Sequence, residues 1–117
     1  MARRDLSGAV DFSVLDRTTG DDPEVSEEVL GLFAEQAALW SGLLNPGVEG
    51  WRDAVHTLRG AAAGIGAHEL AAECTAAEAL EAKTASPALE RVRSALDAAL
   101  ADVAAYRHEL MLRSLRR

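Results

Sequence analysis

Cysteine, aromatic residues, basic charge and long apolar runs are all scarce in this chain of 117 residues, and each shortage excludes something. Cys74 is the single cysteine, so no internal disulfide can form, which fits a reducing compartment. No long apolar run follows Met1-Ala2-Arg3-Arg4-Asp5, so neither a signal peptide nor a membrane span is expected, and the cytoplasm is the expected location. The only aromatics are Phe12, Phe33, Trp40, Trp51 and Tyr106, so the core must be aliphatic and rich in alanine. Alanine is the best helix former and is depleted in strands, which favours packed helices over a sheet. Lys and Arg total 12 against 19 Asp and Glu, a net charge of -7. Nucleic-acid phosphates reward the opposite sign, so no nucleic-acid partner is expected, and no membrane partner either. Arg113, Arg116 and Arg117 are the local exception, read as a solvated helix end where cations complement the macrodipole.

The chain suits one domain. Residues 1–11 read as a loose segment. Phe12, Val14 and Leu15 suggest a short helix broken at Thr18-Thr19-Gly20. Asp22 can cap the next helix and Pro23 suits its first position. Val25, Val29, Leu32, Phe33, Ala37, Trp40, Leu43 and Leu44 carry it in steps of three and four to about residue 44, where Asn45-Pro46-Gly47 turns the chain. A third segment, 48–64, repeats the spacing with Val48, Trp51, Val55, Leu58, Ala62 and Ile65, ending at Gly64 and Gly66. Segment 67–83 places Leu70, Cys74, Ala77 and Leu80 on one face. After Ser86-Pro87 the last helix shows Leu89, Val92, Leu96, Ala99, Leu100, Val103, Tyr106 and Leu110. Four amphipathic helices with short connections predict an all-α, antiparallel up-down four-helix bundle with a short additional N-terminal helix. Trp40 and Trp51 are expected near one end of it.

The third segment holds an unusual cluster, His56-Thr57-Leu58-Arg59-Gly60. With His56 at zero and about 100° per residue, Gly60 falls near about +40°, Ala63 about -20°, Arg52 about -40° and Arg59 about -60°. The apolar residues of the segment lie between about 180° and 260°, so the imidazole faces away from the core. Glycine inside an exposed helix costs about 1 kcal/mol relative to alanine, so Gly60 needs a reason to be there. Imidazole offers a neutral, nucleophilic nitrogen near neutrality. Phosphorylating it adds roughly two negative charges, which the donors of Arg59 could offset, while small neighbours leave room for a partner to approach.

These residues resemble the histidine phosphotransfer (HPt) domain family, whose motif runs His-x-Leu-Lys-Gly, then small residues, a hydrophobic–Gly pair, and later Leu, Cys and Glu. The matching positions are His56-Thr57-Leu58-Arg59-Gly60, Ile65-Gly66, Leu70, Cys74 and Glu78, and 22–33 is similar to the family's preceding helix. The specific motif covers 56–78 and the general layout about 12–110. The resemblance implies a phosphorelay intermediate. His56 would take a phosphoryl group from the aspartyl phosphate of a response-regulator receiver domain and pass it to another receiver aspartate. Arg59 would support the phosphoryl group, and Arg52, Gly60 and Ala63 would lie where the partner docks. A hybrid histidine kinase is a further implied partner. Mg²⁺ would sit on the receiver, leaving this chain with no cofactor or metal of its own and sufficient as a monomer. Arg59 departs from the family's commoner Lys, and Ala77 from a usually larger apolar residue.

Other chemistries fit less well. A histidine kinase dimerisation domain usually carries an acid after its histidine and a proline soon after; here Thr57 follows, and no proline lies between His56 and Pro87. The chain also has no room for an ATP-binding domain, so no ATP-dependent kinase activity is expected. A helical adaptor that binds or sequesters a receiver without chemistry is the alternative function. No paired-carboxylate, nucleophile–base or phosphate-loop signature points to a stand-alone enzyme. His56, His68, Cys74 and His108 lack a zinc spacing. His68 and His108 read as surface residues and Cys74 as a small core hydrophobe.

Overall fold

The computed structural model describes residues 7–116, and all its regular structure is helical. Helix α1 spans Phe12–Thr19, α2 Pro23–Ser41, α3 Trp51–Ile65, α4 His68–Glu78 and α5 Ser86–Leu115, with one 3₁₀ turn at Ala82–Thr84. Helix α3 packs on α4, α4 on α5, α5 on α2 and α2 on α3, closing a four-helix bundle with α1 laid over α2 and α3. Pairings along the helices fix their directions. Glu27 near the start of α2 meets Arg107 near the end of α5, and Arg93 near the start of α5 donates to the Leu44 carbonyl just beyond α2. Glu73 of α4 meets Arg91 of α5 at 3.4 Å. Neighbouring helices therefore run antiparallel, as the short connections predict.

The helix ends follow local chemistry. Asp22 accepts from the Glu24 and Val25 amides at 2.9 and 3.3 Å, and Pro23 opens α2. Asp11 caps α1 through Ser13, whose hydroxyl and amide hold the Asp11 carboxyl below its ordinary range. Gly66 closes α3 in the left-handed region at φ +90°. Its carbonyl accepts from the Asp11 amide at 2.8 Å, and an added Cβ would lie 2.1 Å from the Asp11 oxygen. Only glycine meets both demands, and this contact joins the α3–α4 corner to the start of α1.

Several boundaries differ from the sequence reading. Helix α2 ends at Ser41 rather than about 44, and α3 begins at Trp51 rather than 48 because Val48 closes a turn onto Asn45 and Gly50 sits at φ +90°. Gly64 lies inside α3, leaving termination to Gly66. Helix α4 stops at Glu78, not 83, because Glu81 is extended and the chain turns there toward α5. The buried side of α2 is Ser26, Leu30, Phe33 and Ala37, while Val25, Leu32 and Leu43 are exposed. The adjacent pair Leu32-Phe33 draws an apolar stripe that is rotated from the one packing selects.

Residues 7–11 are held rather than loose. The carboxylate of Asp102, buried on α5, accepts from the Ser7 amide and hydroxyl at 2.8 and 2.9 Å and from the Ala9 and Val10 amides at 2.9 and 3.3 Å. Four donors compensate the cost of burying that charge. The rest of the 1–11 segment, residues 1–6, lies outside the described residues, as does Arg117. The core is mainly aliphatic, with Phe12 stacked on Tyr106 at 4.0 Å and the Tyr106 hydroxyl donating to Asp16. Phe33 and Trp40 meet edge to face near the end of α2, and buried Trp51 opens α3 at that same end of the bundle. Ala77 and Cys74 are fully buried, and burial pushes the Cys74 thiol up to about 12. Arg113 is not merely solvated: it pairs with Glu109 and lies over the Tyr106 ring.

Candidate functional site

Helix α3 turns Val55, Leu58 and Ala62 fully inward, and that rotation throws His56 outward with 60% of its side chain exposed. Gly60 and Ala63 lie beside it on the exposed face. A Cβ added at Gly60 would meet nothing within 4 Å, so the glycine is not required by packing within this chain. Its bareness faces outward.

The α3–α4 hairpin completes the site. It reverses at Ala67, and His56 and Glu78 each lie eleven residues from that point. The antiparallel return therefore brings Glu78 opposite His56, with His56 Nδ1 2.6 Å from Glu78 Oε2. A carboxylate only accepts, so the proton of this hydrogen bond belongs to Nδ1. In the neutral ring the lone pair then sits on Nε2. This is the arrangement by which a carboxylate holds an imidazole in a defined tautomer and orientation.

Arg59 stands on the same side. Its Nη2 is 3.1 Å from His56 Nδ1, but an arginine only donates, and Nδ1 already donates to Glu78. That approach is proximity rather than a hydrogen bond. Arg59 Nε lies 3.3 Å from Glu78 Oε1, close enough for attraction yet out of line for a hydrogen bond. The guanidinium of this part-exposed side chain thus neighbours both partners without a well-formed bond to the imidazole.

Arg52, one turn before His56, is exposed and reaches toward the end of α4. It donates from Nε to the Glu78 carbonyl at 3.3 Å and from Nη2 to the Leu80 carbonyl at 2.6 Å, and it lies 4.6 Å from the centre of the Trp51 ring. The structure thus brings His56, Arg59, Gly60, Ala63 and Arg52 onto one face and adds Glu78. Glu78 had a motif position but no assigned role, since only the hairpin makes it a neighbour of His56. His68 is the first residue of α4 and exposed, and among the described residues no group of His, Cys, Asp and Glu could hold a metal ion.

On the far side of Gly60 a groove of about 350 Å³ runs between α1, α2 and α3, lined largely by apolar groups from Leu32, Phe33, Trp40, Ala61 and Gly64. The phosphoacceptor candidate therefore stands between a charged flank on α4 and an apolar flank on α2.

The model of the Hpt domain matches residues 28–106, which include every site residue named above. No curated protein sequence matches the chain. Among solved structures, the histidine phosphotransferase ShpA from Caulobacter crescentus is 55% identical, with a TM-score of 0.80 over 92% of this chain and 99% of that one. The fold, the span of the match and the identity agree, and the chain belongs to the Hpt domain family, whose business is histidine phosphotransfer in phosphorelays.

Proposed function

We propose that His56 carries the phosphoryl group on Nε2, between the aspartates of response-regulator receiver domains. The reading is carried by one observation: the Nδ1 side of an exposed imidazole is held by Glu78, which leaves Nε2 as the free nucleophile. In the step proposed, the Nε2 lone pair attacks the phosphorus of a receiver aspartyl phosphate. The P–O bond breaks and its electron pair leaves on the receiver carboxylate. The ring keeps its Nδ1 proton and becomes a phosphorylated imidazolium, whose positive charge faces the Glu78 carboxylate. The reverse step gives the group to a second receiver. Nothing in the exchange needs a proton to leave the site.

Arg59 is the cation placed to meet the arriving phosphoryl oxygens, since it spends no well-formed hydrogen bond on the imidazole. Gly60 and Ala63 leave the approach open. The apolar groove with Leu32 and Trp40, which reaches Ala61 and Gly64 of α3, offers the receiver a second contact surface. Mg²⁺ belongs to the receiver in this reading. One bundle holds a complete site, so a monomer suffices. Among the described residues no helix is long and apolar enough to cross a membrane, and a location in the cytoplasm is part of the same proposal.

The test mixes the protein with a receiver domain carrying phosphate label and follows acid-labile label on the chain. Wild type is expected to acquire it and His56→Gln to lose it. Label persisting in His56→Gln overturns the assignment.

A further inference from the structure

We propose that Arg52 is a positioning residue for His56 that acts through Glu78, an inference that rests on His56 being the phosphoacceptor. Helix α4 ends at Glu78 with no left-handed glycine, since Ala79 stays right-handed. The last carbonyls of a helix lack intrahelical partners and carry the negative end of its dipole. Arg52 supplies both the donors and the charge: its fork takes the carbonyls of Glu78 and Leu80. The fork itself is backed by Trp51, whose indole is 5% exposed and therefore fixed in the core. A lysine could supply charge but not two directed donors and a flat face for the indole.

The residue whose backbone Arg52 grips is the residue whose carboxylate holds His56. Arg52 and His56 are one turn apart on α3, so one stretch of helix carries both the nucleophile and the brace for the nucleophile's partner. Release of the brace frees the last turn of α4. Glu78 Oε2 then moves off Nδ1, the proton is free to shift to Nε2, and the reactive lone pair is lost in that tautomer. Nitrogen ligation offers a parallel, because carboxylates that orient a histidine change its performance about 10- to 100-fold when removed.

The experiment separates this role from docking, which the exposed position of Arg52 also allows. Wild type, Arg52→Ala and Arg52→Lys are given phosphoramidate, a small donor that needs no docking surface, and in parallel a phosphorylated receiver. The ¹⁵N shifts of the His56 ring report its tautomer in each protein. Arg52→Ala is expected to accept label about tenfold more slowly from both donors, with ring shifts moving from the Nδ1–H form toward a mixture. Arg52→Lys should fall between it and wild type. An unchanged tautomer overturns the proposal, and so does a wild-type rate with phosphoramidate, even if transfer from the receiver falls. Failure of wild type to take label at His56 would strike the phosphoacceptor reading instead, and the ring shifts would still decide the link from Arg52 to His56.

Discussion

Glu78 accepts the Nδ1–H of His56 across the α3–α4 hairpin at 2.6 Å, so the imidazole is oriented from behind while its other nitrogen faces outward. The same carboxylate lies 3.3 Å from Arg59 Nε and so keeps that cation beside the reacting ring. A charged pair with one partner mostly exposed contributes little to folding stability, which places the value of this contact in chemistry.

Glu78→Gln keeps the shape and removes the charge. The amide can accept from Nδ1 or donate to it, so the tautomer is no longer fixed, and the phosphorylated imidazolium loses its counter-charge. Phosphoryl acceptance is expected to fall about tenfold, while the unfolding midpoint in urea changes little. Acceptance rates with phosphoramidate, read beside urea titrations, check both halves.

Gly60→Gln should split stability from function. Replacing a helical glycine whose added Cβ meets no neighbour stabilises α3 by roughly 0.5–1 kcal/mol. The long side chain also blocks the approach to His56. Transfer from a receiver should slow strongly while labelling by phosphoramidate stays near wild type. An equal rate from the receiver would refute the steric role.

Asp102→Ala removes the acceptor for Ser7, Ala9 and Val10. Hydrogen bonds to a charged group contribute about 1.5–3 kcal/mol, and a loss on that scale is expected in urea unfolding, because the released amides regain water. Amide exchange at Ala9 and Val10 should accelerate, with phosphoramidate labelling of His56 unaffected.

Cys74 is fully buried, and burial, followed by the nearby Glu78 charge, raises its thiol from 9.0 to about 12. The thiol should resist iodoacetamide at pH 8 until the chain is unfolded, since the thiolate is the reactive form. A raised pKa means the folded state holds this proton more tightly than the unfolded one. The stability linked to it is complete below pH 9.0 and is lost as pH rises toward about 12. Urea midpoints that decline across that window in wild type, and less in Cys74→Ala, check the sign.

Much of this protein was determined by the sequence alone. Alanine-rich periodicity dictated helices, Asp22-Pro23 and Ser86-Pro87 marked two helix starts, and the angular position of His56 relative to Val55, Leu58 and Ala62 put it outside the core. These are properties of one turn or one helix, where spacing along the chain is spacing in space. What lay beyond the sequence depends on which helix faces which. The buried side of α2 passes through Leu30 rather than Leu32 because α5 and α3, not the apolar count, choose it. Asp102 looked like an ordinary helical acid until the backbone of 7–10 folded onto it from more than ninety residues away. Glu78 and Arg52 became parts of one site only when α4 turned back along α3. A proton's place on Nδ1 or Nε2 is decided by the neighbour within hydrogen-bond reach, and only the tertiary structure supplies that neighbour.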